Sequence, residues 1–367
     1  MSKYYKYLII LATTVVVVLA VWYFQNIIAY ILVSAVLSLI GEPVVNFLER
    51  IKIKKFSLPK WMCAGITLLL IWVVFLTFFR IFVPMIAAEA NKLSQIDSNR
   101  FLIALNEPVN RIDAFVNSLS INRNEKFSTM ALLSHNIQSV LNISVFTNVF
   151  SSLASTIGNI FIALFSITFI TFFFLKDEDL FGDIILLLIP EKYEERIKEV
   201  MISSKSLLMR YFVGIGAQVS AIIVLITSGL CIVGLDFQTA IVVGLFSGII
   251  NVIPYIGPLI GIMFGLTLGL ASKVQVMPAE QLGHLLIFIL LVYLTVHLVD
   301  NILFQPLIFS SSVKAHPLEI FLVILVAGHL SGITGMLVAI PGYTVIRVFA
   351  KQFLNNFRVV QKLTRKI

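Results

Sequence analysis

The sequence predicts an all-α membrane protein with about six full transmembrane helices plus two inverted re-entrant helical hairpins. Three observations predict it. The 367 residues are 59% hydrophobic and 13% charged, whereas soluble domains average about 25% charged. Apolar segments of about eighteen residues or more, long enough to cross a bilayer, recur from Leu8 to Tyr343. Two of the later apolar segments are interrupted in mid-course by proline, glycine and other small residues. Simple hydropathy would count these as ordinary spans and give an eight-span topology. A soluble fold is set aside, because a globular chain of this length needs more polar surface.

The first span covers about Tyr7 to Phe24, preceded by Lys3 and Lys6. It has the charge and apolarity of a signal peptide but lacks a small-x-small cleavage site. A second apolar run, Ile27 to Ile40, follows an expected tight turn at Gln25 and Asn26. "ERIKIKKFSLPKW" then carries Arg50, Lys52, Lys54, Lys55 and Lys60, a cytoplasmic mark by the positive-inside rule. A third span, about Met62 to Val83, leads out to Pro84, so residues 1–83 form an N-terminal region of three transmembrane helices. Residues 84–150 read as an extracytoplasmic amphipathic helical region. There Val109, Ile112, Phe115, Val116 and Leu119 share one helical face behind Pro108.

Residues 151–206 hold a fourth span, about Leu153 to Leu175, and a cytoplasmic interfacial helix. Pro190, Glu191, Glu194 and Glu195 suit the start of that helix. Tyr193, Ile197, Val200, Met201 and Ser204 line one side of it. The tail, 348–367, is basic through Lys351, Arg358, Lys362, Arg365 and Lys366, which puts both termini in the cytoplasm.

Residues 207–347 read as a transport core of two inverted helix-plus-hairpin units. From Tyr211 to Ser272 the only charged residue is Asp236, and "GLD" makes a turn after a helix over about 207–234. The apolar run from Phe237 to Ser272 would be roughly 54 Å long as one helix, against a hydrocarbon core of about 30 Å. It is also too short for two complete spans and a turn. A hairpin fits, with its tip in "NVIPYIGPLIG", where Pro254, Gly257, Pro258 and Gly261 weaken any continuous helix. Broken backbone at membrane depth is tolerated only where protein or a water-filled cavity surrounds it. The plan then repeats: a helix over about Leu282 to Phe304, a loop "QPLIFSSSVKAHP", and an apolar segment, Leu318 to Val345, interrupted at "GHLSGITG" by Gly328, Gly332 and Gly335. Paired interrupted segments in corresponding halves point to a transporter's binding site. With this topology the loop around Lys273 is external and the loop around Lys314 cytoplasmic; eight uninterrupted spans would reverse both.

Three segments resemble, in order and spacing, the signature segments of the autoinducer-2 exporter family: "NVIPYIGPLIG", "DNILFQPLIF" and "HPLEIFLVILVAGHLSGITGMLVAIPGY". The preceding "FFFLKDEDLF", "LIPEKYEERI" and "MRYFVGIGAQ" are similar to the same family. The resemblance implies a multi-pass protein of the bacterial inner membrane that exports a small polar metabolite such as the autoinducer-2 signal. It also implies a homo-oligomer, suggested to be a pentamer, with moving hairpins. Sodium–proton exchange by some members keeps a monovalent cation/proton antiporter as the alternative. A channel or membrane scaffold without active transport is the alternative from another class.

Asp300 is the acid that stands out, near the end of an apolar helix. An ionisable group inside a membrane is costly and is a functional candidate by default, although an interfacial helix cap is the bland reading. By resemblance it matches the acidic position of "DNILFQP". His297 lies three residues earlier on the same face, where the two could share a proton. Asn301 and Gln305 extend a polar stripe beside Asp300, Asn251 and Tyr255 bring polar groups to the first hairpin tip, and His329 with Ser331 does so in the second. Gln218 and Arg210 are weaker candidates. The bland reading of each is a hydrogen bond between helices. Together they suit a small polar solute with H+ or Na+, handled within the lipid bilayer.

The other classes fit poorly. The +8 balance sits in loops rather than on one face, which reads as membrane orientation and not as nucleic-acid binding. Cys63 and Cys231 make neither a disulfide framework nor a metal site. No H-E-x-x-H, G-x-S-x-G or nucleotide-binding loop occurs, so neither an enzyme nor a cofactor is expected. Asp236 in "VGLD" lacks the second glycine of an intramembrane aspartyl protease.

Overall fold

A computed structural model describes residues 19, 23–53, 56–94, 157–177, 179–187, 189–308 and 315–355, with single positions of the tail. Nearly all of the first span, the amphipathic region beyond residue 94 and the loop around Lys314 lie outside the described residues. The fold is all-α; its strands are a two-residue ladder, β1 (Lys52–Ile53) against β2 (Phe56–Ser57), in the basic loop. Among the described residues five helices are long and apolar enough to cross a membrane. The chain divides into two compact units, 1–75 with 155–205 and 76–154 with 206–367.

The first unit contains α1 (Gln25–Arg50), the start of α2 (Lys60–Ser94), α3 (Ile157–Lys176), α4 (Leu180–Leu187) and the start of α5 (Glu191–Ile232). Gly41 lets α1 approach closely, since a Cβ there would stand 3.1 Å from both Thr67 and Leu175. Val45, Cys63, Ala64 and Leu175 form the small core. Polar side chains join helices across the apolar faces: Ser34 Oγ donates to the Ile167 carbonyl at 3.1 Å and Trp72 Nε1 to Thr168 Oγ1 at 3.1 Å. This is the use expected of polar groups where lipid offers no partner.

Several expected boundaries move. Gln25 and Asn26 are not a turn but the first residues of α1, which runs past Ile40 to Arg50. The second helix does not leave at Pro84 but continues to Ser94; one proline removes a single ladder bond, which a membrane helix tolerates. The expected interfacial helix is not separate, because α5 runs unbroken for 42 residues from Glu191. No glycine or proline lies between Pro190 and Gly214 to end it.

The second unit is built on the rest of α5. That helix ends at Ile232, Gly234 follows in the turn with φ 100°, and Asp236 then caps α6 (Phe237–Ile250) by accepting from Thr239 N at 3.2 Å and Thr239 Oγ1 at 2.8 Å. The chain breaks over 251–255 and resumes as α7 (Ile256–Lys273). The arms fold back on each other: Phe246 and Phe264 stack at 4.0 Å, and a Cβ at Gly257 would collide with the Ile250 carbonyl. The reversal is a tight one. Tyr255 has φ 67° and ψ −48°, and Ile256 N donates to the Pro254 carbonyl at 2.8 Å, the rarer and strained kind of γ-turn. Pro258 falls in the first turn of α7, where a missing N–H costs nothing.

Then come α8 (Ala279–Val299), a π-turn (Asp300–Phe304), α9 (Gln305–Ile308) and α10 (Pro317–Phe353). The helix thus persists to Ile308, four residues past the expected end. His316 caps α10, its Nδ1 accepting from Leu318 N at 3.2 Å. Inside α10, Ser331 and Gly332 leave helical geometry, with Gly332 at φ 59° and ψ −143°. The consequence is a second hairpin. Tyr343 Oη donates to Glu319 Oε2 at 3.0 Å, although 24 residues of straight helix would separate them by about 36 Å. Gly335 abuts the Ala327 carbonyl in the same antiparallel register. Both interrupted segments are therefore helical hairpins.

Candidate functional site

Asp300 lies at the end of α8, and the local helix geometry decides what it meets. Pro306 has no N–H, so the ladder at this point cannot run regularly. Gln305 N–H instead reaches back five residues to the Asp300 carbonyl, which defines the π-turn. Such turns are frequent at functional sites. The widened turn carries the Gln305 side chain over its own start, where Nε2 donates to Asp300 Oδ2 at 3.1 Å.

Two further donors arrive from elsewhere in the unit. Gln218, in the middle of α5, gives Nε2 to Asp300 Oδ1 at 2.6 Å, and Asn251, the first residue of the first break, gives Nδ2 to Oδ2 at 3.3 Å. Asp300 is 0% exposed, Asn251 5% and Gln218 8%. A buried carboxylate is thus held by three neutral amide donors, and no ion pair reaches it among the described residues. Asn251 Oδ1 is buried and has no hydrogen-bond partner among the described residues. Beyond any capping role, Asp300 accepts from Gln218 of α5, from Asn251 of the first break and from Gln305 within its own helical run.

The remaining candidates divide. His297 is half-buried, its ring 5.9 Å from that of Tyr293; no hydrogen bond joins it to Asp300, and Nε2 has no partner among the described residues. Asn301 and His329 are exposed and stand outside the cluster, as does Arg210. Tyr255 does not point at Asp300 either; it packs edge-on against Phe321 of the second hairpin at 5.3 Å. Of the hinge candidates, Gly332 carries positive φ and Pro254 opens the γ-turn. Gly257, Gly261, Gly328 and Gly335 instead serve close approach between arms. Among the described residues no group of acids, histidines and cysteines could hold a metal ion.

Two polar residues escaped the sequence reading. Tyr293 and Ser247 are buried, with Ser247 Oγ and Tyr293 Oη 2.7 Å apart and Tyr293 Oη donating to the Gly261 carbonyl at 2.8 Å. Their signal was spacing: Tyr293 precedes Asp300 by two helical turns, and Ser247 precedes Asn251 by one.

The sequence as a whole has counterparts among known proteins. A profile described as AI-2E family transporter matches residues 11–355. The chain belongs to this family. Its relatives include "Putative transport protein YueF" of Bacillus subtilis (strain 168), 26% identical over 342 residues that cover 90% of this chain and 84% of the relative. "Putative transport protein YrrI" of the same organism is 29% identical over 196 residues, 53% of this chain and 52% of the relative. Family and fold together make the chain a multi-pass membrane transporter. Its Asp300 cluster and both hairpins fall inside the matched region.

Proposed function

We propose that this family member is a secondary transporter that exports a small polar metabolite such as the autoinducer-2 signal, with Asp300 as the coupling carboxylate. The observation that carries the reading is a carboxylate at the end of an apolar helix, fully buried and held by neutral amides from α5, the first break and the π-turn. In one state Asp300 faces water and releases its proton. In the other it is packed against the broken segment, and proton movement is thereby tied to hairpin movement. Asn251 Oδ1, unpartnered among the described residues, is an acceptor, which suits a solute bearing hydroxyl or other donor groups.

The hairpins are re-entrant and inverted in this reading, both termini are cytoplasmic, and the protein works as a homo-oligomer in a bacterial inner membrane. The 14-residue α6 supports re-entry, being about 21 Å long against the roughly 30 Å of hydrocarbon. A single cysteine at Val276, in a chain without Cys63 and Cys231, should react with an impermeant reagent applied to intact cells. Protection there would favour eight full spans.

Purified protein in liposomes loaded with a pH-sensitive dye tests the function. Pulses of the furanosyl signal should move protons, and Asp300→Asn should insert and assemble normally yet lose coupled flux by tenfold or more. Wild-type flux with unchanged pH dependence in that variant would refute the assignment. His297→Gln should shift the pH optimum without abolishing flux. Monovalent cation–proton exchange is the second reading, favoured by the oxygen atoms of Asp300 and Asn251 at one point. Proton release on adding sodium or potassium chloride, with no response to the signal, would establish it instead.

A further inference from the structure

We propose that Tyr293 is a positioning residue whose hydroxyl, not its ring, holds Asn251 against Asp300. The direction of each bond follows from chemistry. The Gly261 carbonyl can only accept, so the single Tyr293 hydroxyl proton goes to it at 2.8 Å. Ser247 Oγ, 2.7 Å from Tyr293 Oη, must then be the donor of the second bond. Tyr293 thereby joins one residue of α6 to one residue of α7, from a third helix, α8.

The slot for this side chain is built for it. Any side chain at Gly265 would run into the Tyr293 ring, and a Cβ at Gly261 would stand 3.2 Å from Ser247 Oγ. Ser247 lies one helical turn before the break, and its own carbonyl accepts from Asn251 N at 3.1 Å. Holding Ser247 therefore holds the last turn of α6 and the residue that leaves it. Tyr293 and Asp300 lie two turns apart on α8, so one helix grips the arm at Ser247 and meets its end at Asn251. Phenylalanine would fill the same slot; a buried tyrosine hydroxyl needs its partners, and here both partners belong to the broken segment. The significance for transport rests on the proposed role of Asp300, but the positioning itself does not.

The test reads the break directly. A single cysteine at Val252, in the background lacking Cys63 and Cys231, is labelled with N-ethylmaleimide in purified, lipid-reconstituted protein. Tyr293→Phe should raise the labelling rate about tenfold, and Ser247→Ala should raise it in the same direction if the larger residue proves hard to change. Asn251→Ala should raise it too. Combining Asn251→Ala with Tyr293→Phe should give no more than the larger single effect, because both act on one contact. A control cysteine at Ser331, in the second hairpin, should label at the wild-type rate throughout. Unchanged labelling at Val252, additive effects, or a parallel rise at Ser331 would each overturn the proposal. Flux through Asp300→Asn is a separate measurement, so failure of the coupling role and failure of the positioning role are distinguishable.

Discussion

The two hairpins reverse the chain by different means and are held by different forces. The first spends five residues on its reversal, forces Tyr255 into positive φ, and is fixed by buried hydrogen bonds at Tyr293 and Asp300. It is also wedged against α5, where Gly244 and Gly248 leave no room beside Thr227 and Ile223. The second turns within two residues, Ser331 and Gly332. Its tip is open, with Leu330 75% and Ile333 64% exposed. Ile320, Ile324, Ala339 and Ile340 pack with Tyr211 and Ile308 in an apolar cluster. Apolar packing is non-directional, whereas buried hydrogen bonds specify one arrangement. The pair teaches that a hairpin held by buried polar bonds and one seated by apolar packing can be made from the same interrupted-helix plan.

The largest expected effect comes from overfilling the anchored hairpin. Gly265→Val would drive a side chain into the Tyr293 ring, and overpacking costs about 1–3 kcal/mol or more. Low yield and loss of a monodisperse peak on size-exclusion chromatography should follow; a normal preparation would show that this hairpin is not tightly wedged. Gly332→Ala should come next, since φ 59° with ψ −143° is a region for glycine alone and strain there costs on the order of 1–3 kcal/mol. Thermal unfolding in detergent should move down by several degrees. The smallest effect belongs to Tyr343→Phe, which removes one partly buried bond to Glu319, worth about 1 kcal/mol. Melting should shift by a few degrees at most; a larger change would mean the second hairpin is also anchored.

Both breaks were legible because glycines, joined by prolines at the first, concentrate there within otherwise apolar runs. Asp300 was legible as an isolated acid. Its partners were not equally so. Gln218 lies 82 residues away on a helix whose register against α8 no local pattern reveals, yet it makes the shortest bond to the carboxylate. Tyr293 looked like one more aromatic in an apolar helix, because the glycine slot that receives it comes from another segment. His329 and Asn301 were drawn in by proximity in sequence to a break and to Asp300, but helical geometry turns both outward. The unbroken α5 was missed because a change from charged to apolar composition looks like a boundary even where the backbone has no reason to stop.

The π-turn at Asp300 amounts to one surplus residue that the helix has absorbed without ending. On a regular helix Gln305 would project about 140° away from Asp300; the surplus residue takes up about 100° of that offset and brings the two onto one face. The contact is therefore a phase relation, encoded by the length of "DNILFQP" as much as by its letters. Were this turn to relax to regular α-geometry at the same length, every side chain of the cluster would still be present in the sequence, but Gln305, and all that follows it to Ile308, would rotate by about 100° out of step. Register, in this helix, is part of the site.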